Sequence, residues 1–124
     1  MREDYEAYFQ QLKNALNQLG YVSVHTEELT AEFFLLTGWK LSFECERYYG
    51  PMFGIFIIPP NPLNNRRRGY EVGLLMQVFE KLTGKTYGKP TIEKQVSFLI
   101  QEKDRVFGDP SYYESDYSKL NDLA

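Results

Sequence analysis

The segment Trp39–Pro60, WKLSFECERYYGPMFGIFIIPP, constrains the fold more than any other part of this chain. Its first half alternates apolar with polar side chains, a period of two that is typical of a strand with one buried and one solvated face. Its second half, residues 52–58, is almost entirely apolar, as expected of a strand that is covered on both faces. Gly50 and Pro51 separate the two halves. The segment therefore predicts two neighbouring strands, of which the first carries the charges.

The alternation assigns each residue of the first strand to one face. The predicted core face contains the apolar side chains of Trp39, Leu41, Phe43 and Cys45. Glu44 and Glu46 fall on the solvated face, and Tyr48 and Tyr49 follow them before the break. Cys45 is the only cysteine of the chain, so we expect it to be a small buried hydrophobe without a disulfide partner.

Helical spacing appears both before and after this β region. Residues 3–19 predict an N-terminal helix, because their apolar side chains recur at intervals of three and four and Gly20 follows them. Residues 70–83 and 92–107 show the same periodicity, and each run is followed by a glycine. An acidic cap followed by proline, Asp109–Pro110, predicts the start of a last helix.

Two shorter segments complete the predicted sheet. Residues 21–26 are rich in β-branched side chains and fit either a first strand or an extended link. Residues 32–37 fit strand or helix, but their shortness and the glycine that follows favour a strand hairpinned to the next one. The order of elements predicts one α+β domain over residues 1–124. It has an antiparallel three- to four-stranded sheet, preceded by one helix and followed by two to three helices that pack on it.

Composition limits the classes of function that suit this chain. The net charge is −3 at pH 7 and charged residues make up 25% of the chain, a balance that disfavours duplex nucleic acid as a partner. No apolar run approaches the roughly 20 residues that span a bilayer, and the N-terminus lacks the apolar core of a signal peptide. We therefore expect a cytoplasmic protein that does not bind a membrane.

The sequence shows no pattern that is typical of catalysis or of a metal site. His25 and Cys45 are the only histidine and cysteine, which falls short of the usual zinc ligands, and neither lies in a nucleophile motif. Glu44 and Glu46 share a face of one strand at about 7 Å between Cα atoms, but solubilising charges are the simpler interpretation. We expect a protein that is not an enzyme and that needs no cofactor or metal.

Three groups of side chains are candidates for binding a partner. In the first, acidic residues adjoin tyrosines whose rings could anchor a basic protein. In the second, arginines in a loop rich in proline and asparagine could hold a phosphate or a carboxylate by paired donors. The third again combines tyrosine with acid, near the C-terminus. The members are Glu44, Glu46, Tyr48 and Tyr49; Arg66, Arg67 and Arg68; and Tyr112, Glu114 and Asp116.

An amphipathic N-terminal helix is followed by the strand and turn FECERYYG and then by GLLMQVFEKLTGK. In this outline the chain resembles the small bacterial immunity proteins that neutralise polymorphic or contact-dependent toxins. The resemblance implies a non-enzymatic inhibitor that covers the active site or substrate groove of a toxin. The alternative is a domain that binds a small ligand, phosphate or nucleotide through the arginine loop. A monomer and a homodimer both remain open, because a sheet edge such as residues 21–26 could be uncovered.

Overall fold

The computed structural model describes residues 1–62 and 68–123. Within these ranges, five strands form one antiparallel sheet in which each strand pairs with the next along the chain. The strands are β1 (Tyr21–Thr26), β2 (Thr30–Leu35), β3 (Lys40–Cys45), β4 (Phe53–Ile58) and β5 (Tyr70–Glu71). The predicted α+β class is confirmed, and the sheet has one strand more than the three or four expected.

Helices precede and follow the sheet, as the periodicity predicts. The described helices are α1 (Glu6–Leu16), α2 (Val72–Thr83), α3 (Ile92–Gln101), α4 (Lys103–Val106) and α5 (Glu114–Leu123), with short 3₁₀ turns at Glu3–Tyr5 and Pro110–Tyr112. No helix of the described residues is both long and apolar enough to cross a membrane.

The fifth strand lies within a segment that is predicted to be wholly helical. Tyr70 pairs with Ile57 and Glu71 with Phe56, so two residues extend the sheet before α2 begins. Glu71 then caps α2, since its carboxylate accepts hydrogen bonds from the backbone N–H groups of Gly73 and Leu74. A pairing of two residues with a distant strand leaves no periodicity in the sequence.

The apolar core lies between the helices and one face of the sheet. It is formed by alternate residues of the strands and by the apolar stripes of α1, α2, α3 and α5, including Phe9, Leu12, Phe33, Leu41, Phe43, Ile55, Ile57, Phe79, Leu99 and Tyr117. The predicted core face of β3 is confirmed for Trp39, Leu41 and Phe43, which are buried. Cys45, at the end of the strand, is only half-buried, so its predicted full burial is wrong.

The outer face of β4 is less covered than its apolar sequence predicts. Ile55 and Ile57 are buried against the helices, whereas Phe56 and Ile58 point to the other face and are half-buried. The ring of Phe56 is covered by the guanidinium of Arg68, whose Cζ lies 4.7 Å from the ring centroid. A long polar side chain thus takes the place of a second helical layer.

The helix predicted over residues 92–107 is interrupted at Glu102. Backbone angles of φ −104° and ψ 24° end α3 there, and α4 follows as a separate short helix. The predicted last helix also begins in two steps, because Asp109 caps a 3₁₀ turn through the backbone N–H of Ser111 before α5 starts. Tyr113, directly before α5, and Tyr117, within it, are both buried.

Candidate functional site

Two tyrosines project into solvent from the turn between β3 and β4. The side chains of Tyr48 and Tyr49 are 80% and 75% exposed, and Met52 beside them is also exposed. The Gly50–Pro51 peptide bond within the turn is cis. The backbone N–H of Glu46 donates to the carbonyl oxygen of Met52 at 2.8 Å, which closes the base of the turn. Residues 46–52 are called the docking turn below.

The N-terminal segment holds the docking turn in place. The hydroxyl of Tyr5, which is fully buried, lies 2.6 Å from the carbonyl oxygen of Glu46 and accepts from the backbone N–H of Met52 at 3.2 Å. Arg2 donates to the carbonyl oxygen of Arg47 at 2.9 Å. The Arg2 guanidinium is itself oriented by Asp4, and its hydrogen bond lowers the pKa of that carboxyl. The backbone is therefore held by hydrogen bonds on both sides of the exposed tyrosines, at residues 46–47 and at Met52.

A groove of about 230 Å³ runs beside the docking turn. Within it, Arg68 pairs with the Glu44 carboxylate at 3.4 Å, and the hydroxyl of Ser42 lies 3.3 Å from the other oxygen of that carboxylate. The groove, called the acidic groove below, is lined by Glu44, Cys45, Glu46, Met52, Phe53, Gly54, Phe56 and Arg68. The structure thus brings one predicted arginine to the predicted acidic residues. Arg66 and Arg67 lie outside the described residues.

A second cleft, of about 340 Å³, adjoins the acidic groove. Both are lined by Met52, Phe53 and Gly54, so they meet at the start of β4. The second is called the Gln95 cleft, and its lining residues are Pro51, Met52, Phe53, Gly54, Ile55, Glu71, Pro90 and Gln95. Sequence reasoning missed the residues contributed by β5, α3 and the loop before α3, because no local pattern links them to the turn.

The candidate tyrosine and acidic residues near the C-terminus are divided between the surface and the interior. Glu114 is only 6% exposed and accepts a hydrogen bond from the hydroxyl of Tyr70, so little of this predicted contact residue lies at the surface. Tyr112 and Asp116 are exposed, and the Tyr112 ring centroid lies 5.8 Å from that of Phe79 in the helical layer. Tyr112 therefore belongs to the helical side of the domain, whereas Glu44 lies on the sheet.

His25 and Cys45 are kept apart by the sheet. They lie on β1 and β3, two strands apart, which corresponds to about 10 Å across the sheet. They also point to opposite faces, since His25 is in register with Glu32 while Cys45 pairs with Phe53 of the core face. Burial is the main cause that raises the pKa of the Cys45 thiol to about 11. Within residues 1–62 and 68–123, no group of three or more His, Cys, Asp or Glu side chains is arranged to hold a metal ion.

The fold and the site define an α+β domain in which a five-stranded antiparallel meander presents two exposed tyrosines at one end of its sheet. Comparison of the chain with models of protein families, with curated proteins and with solved structures gives no match.

Proposed function

We propose that this chain is a protein–protein interaction module that binds a partner through the docking turn. The single observation that carries the proposal is the pair of neighbouring tyrosines, 80% and 75% exposed, on a backbone fixed by Tyr5 and Arg2. Tyrosine has few rotatable bonds, so it gains contact area on binding at a small cost in conformational entropy. Tyrosine is also one of the residues enriched among binding hot spots.

The charges beside the turn favour a basic partner. Glu44 and Glu46 line the acidic groove, and Arg68 is the only cationic residue among the described residues that line it. Complementary charges speed the encounter of two proteins more than they increase final affinity. The alternative, an anion site at the arginine loop, gains little from Arg68, because its guanidinium already contacts the Glu44 carboxylate and the Phe56 ring.

The most specific form of the proposal is an immunity-type inhibitor of a bacterial toxin. Such an inhibitor acts by steric occlusion, in which the docking turn covers the active site or substrate groove of the toxin. Occlusion requires only a fixed, protruding surface and no reacting group. A turn whose backbone is held at Glu46, Arg47 and Met52 suits that task, because little of it has to be ordered on binding.

Affinity capture from the native cell, followed by mass spectrometry, tests the proposal. The wild-type chain and Leu36→Ala should capture the same partner in a stoichiometric amount, since Leu36 is exposed in the turn between β2 and β3. The double variant Tyr48→Ala, Tyr49→Ala should lose it, with affinity reduced by about 30-fold or more for each hot-spot tyrosine.

Two outcomes would contradict parts of the proposal. Unchanged affinity in the double tyrosine variant would exclude the docking turn as the binding surface. A captured partner with no toxin domain would leave the interaction module standing but would exclude the immunity-type form.

Charge reversal by Glu44→Lys with Glu46→Lys should slow association and alter its salt dependence, as expected if these acids attract a basic partner.

A further inference from the structure

Gln95 on α3 has a buried carboxamide of which only one end is bonded. The side chain is 6% exposed, and its Nε2 donates to the carbonyl oxygen of Pro90 at 2.7 Å. Its Oε1 is buried and has no hydrogen-bond partner among the described residues. The bond to Pro90 requires a donor, which fixes nitrogen at that end and leaves an acceptor at the other. Buried acceptors without a donor are uncommon in folded proteins and call for an explanation.

The Gln95 cleft is large enough to receive a single side chain. Its volume of about 340 Å³ is near the lower end of the range of about 300–1,000 Å³ seen for ligand pockets. Proline, methionine, phenylalanine and isoleucine side chains supply its apolar walls, from Pro51, Met52, Phe53, Ile55 and Pro90. An occupant therefore needs an apolar stem as well as a polar end.

The polar groups of the cleft are acceptors that suit a cation. Within residues 1–62 and 68–123, Glu71 is the only charged residue that lines it. Its two carboxylate oxygens accept from the backbone N–H groups of Gly73 at 3.0 Å and Leu74 at 2.9 Å, which fixes the carboxylate at the start of α2. A carboxylate has about four acceptor positions, so each oxygen can accept a further hydrogen bond. Gln95 also lines the cleft, and its buried Oε1 is an acceptor that no donor of the described residues uses.

We infer that the Gln95 cleft receives an arginine or lysine side chain of the protein partner. The alkyl stem would lie against Pro51 and Met52, and the charged end would reach the Glu71 carboxylate. Contact with Gln95 Oε1 would follow from a small turn of the carboxamide toward the cleft, because that oxygen has almost no accessible surface in the unbound chain. This inference rests on the proposed function and adds the chemistry of the partner's anchor residue. The cleft meets the acidic groove at residues 52–54, so one basic segment of a partner can contact both.

A titration with a short peptide tests the inference without the partner. The ¹⁵N-labelled chain is titrated with acetyl-Gly-Arg-Gly-amide and, as a matched neutral control, with the same peptide carrying citrulline in place of arginine. The arginine peptide should give saturable shifts at the Gln95 side-chain amide and at the backbone amides of Gly54 and Ile55. The citrulline peptide should give none, and a lysine peptide shows which of the two cations is preferred.

Three variants distinguish the cleft from nonspecific attraction of a cation. Gln95→Leu removes the acceptor and Glu71→Gln removes the charge but keeps an oxygen that can cap α2. Each variant should lower the affinity for the arginine peptide by about tenfold, as expected when a hydrogen bond to a charged group is lost. Glu93→Gln, at an exposed position of α3, should leave the affinity unchanged.

Equal shifts from the citrulline peptide would overturn the inference. So would the absence of saturable shifts, or an unchanged affinity in Glu71→Gln, the variant that keeps Gln95 in place. The outcome is separable from that of the proposed function. Peptide binding without any captured protein would count against the interaction module alone. A captured partner that depends on Tyr48 and Tyr49, with no peptide binding, would count against the cleft alone.

Discussion

The hydroxyl of Tyr5 lies 2.6 Å from the carbonyl oxygen of Glu46, although 41 positions separate the two residues in the sequence. The first turn of the chain thereby fixes the geometry of the docking turn, and the Tyr5 ring is fully buried beneath it. The exposed tyrosines that we propose as anchors are consequently positioned by a residue that no partner can reach.

Replacement of Tyr5 by phenylalanine should loosen the docking turn. The change keeps the buried ring but removes the hydroxyl, which leaves the Glu46 carbonyl and the Met52 N–H without this partner. We expect the free energy of unfolding to fall by about 1–3 kcal/mol, the usual cost of a buried polar group that loses its bond. Urea denaturation followed by circular dichroism measures the change.

Tyr8→Phe is the matched control for this variant. The Tyr8 ring is half-buried and packs on Phe53 with ring centroids 5.2 Å apart, so the same chemical change is made nearby. Its effect should be within about 0.5 kcal/mol, as for most substitutions away from buried polar groups. Equal destabilisation by the two variants would mean that the Tyr5 hydroxyl does not hold the turn.

The features of the fold that the sequence predicts are those encoded by local periodicity. Alternation alone assigns Leu41 and Phe43 to the core face of β3, because neighbouring side chains of any strand point to opposite faces. The pairing of Tyr70 with Ile57 joins residues that are far apart in sequence, so local periodicity cannot predict it. Glu102, where α3 ends, accepts hydrogen bonds from Tyr87 and Lys85 of an earlier segment, and local periodicity does not encode such contacts either.

The candidate site is predicted only where neighbouring residues form it. Tyr48 and Tyr49 are adjacent in sequence, and both are exposed as expected. Glu114 follows tyrosines in the same way but is buried, because the hydroxyl of Tyr70 approaches it from a segment 44 positions earlier. The unpartnered oxygen of Gln95 has no signal in the sequence at all, because it results from how three segments pack together.

Two glycines with similar backbone angles should respond very differently to alanine. Gly69 has φ +81°, and a Cβ there would lie 2.1 Å from the carbonyl oxygen of Ile57. Gly84 has φ +76°, and a Cβ there would have nothing within 4 Å. Gly84→Ala should cost about 1–2 kcal/mol, the strain of a left-handed alanine. Gly69→Ala should cost about 3 kcal/mol or more, because the backbone of β4 or β5 has to shift as well.

Thermal and urea denaturation of the two glycine variants measure this difference. Equal destabilisation would show that the strain of the backbone angle, and not the approach of Gly69 to Ile57, decides the cost. A larger loss of stability in Gly69→Ala than in Gly84→Ala would confirm that glycine is needed where the chain enters β5.

Cys45 should react slowly with alkylating reagents. Burial, followed by the negative charge of Asp4, raises the pKa of its thiol from 9.0 to about 11. The thiolate is the reactive form, so its fraction near pH 8 should be about a hundredfold lower than that of an ordinary cysteine. Iodoacetamide labelling followed by mass spectrometry measures the rate, and the chain unfolded in urea is the control. Similar rates in the folded and unfolded chains would contradict the shift.

The buried carboxylate of Glu102 should make stability depend on pH. It accepts from the hydroxyl of Tyr87 at 2.7 Å and from the ammonium of Lys85 at 3.2 Å. Burial acts to raise its pKa, but these hydrogen bonds outweigh burial, and the pKa lies below its ordinary value of 4.5. A carboxyl whose pKa is lowered by folding stabilises the fold above its unfolded pKa, and that contribution is lost as the pH falls through the folded pKa.

Glu102→Gln should therefore lower the free energy of unfolding by about 1–3 kcal/mol near neutral pH, since charged hydrogen bonds are lost. The difference in the free energy of unfolding between wild type and variant should narrow as the pH falls below 4.5, because the wild-type carboxylate then becomes protonated. Urea denaturation at several values between about pH 7 and pH 3 measures the gap. Glu28→Gln is the control, because its contact with Arg47 at 3.9 Å is exposed and such pairs contribute about 0–1 kcal/mol. A gap that stays constant over this range would show that ionised Glu102 does not stabilise the fold.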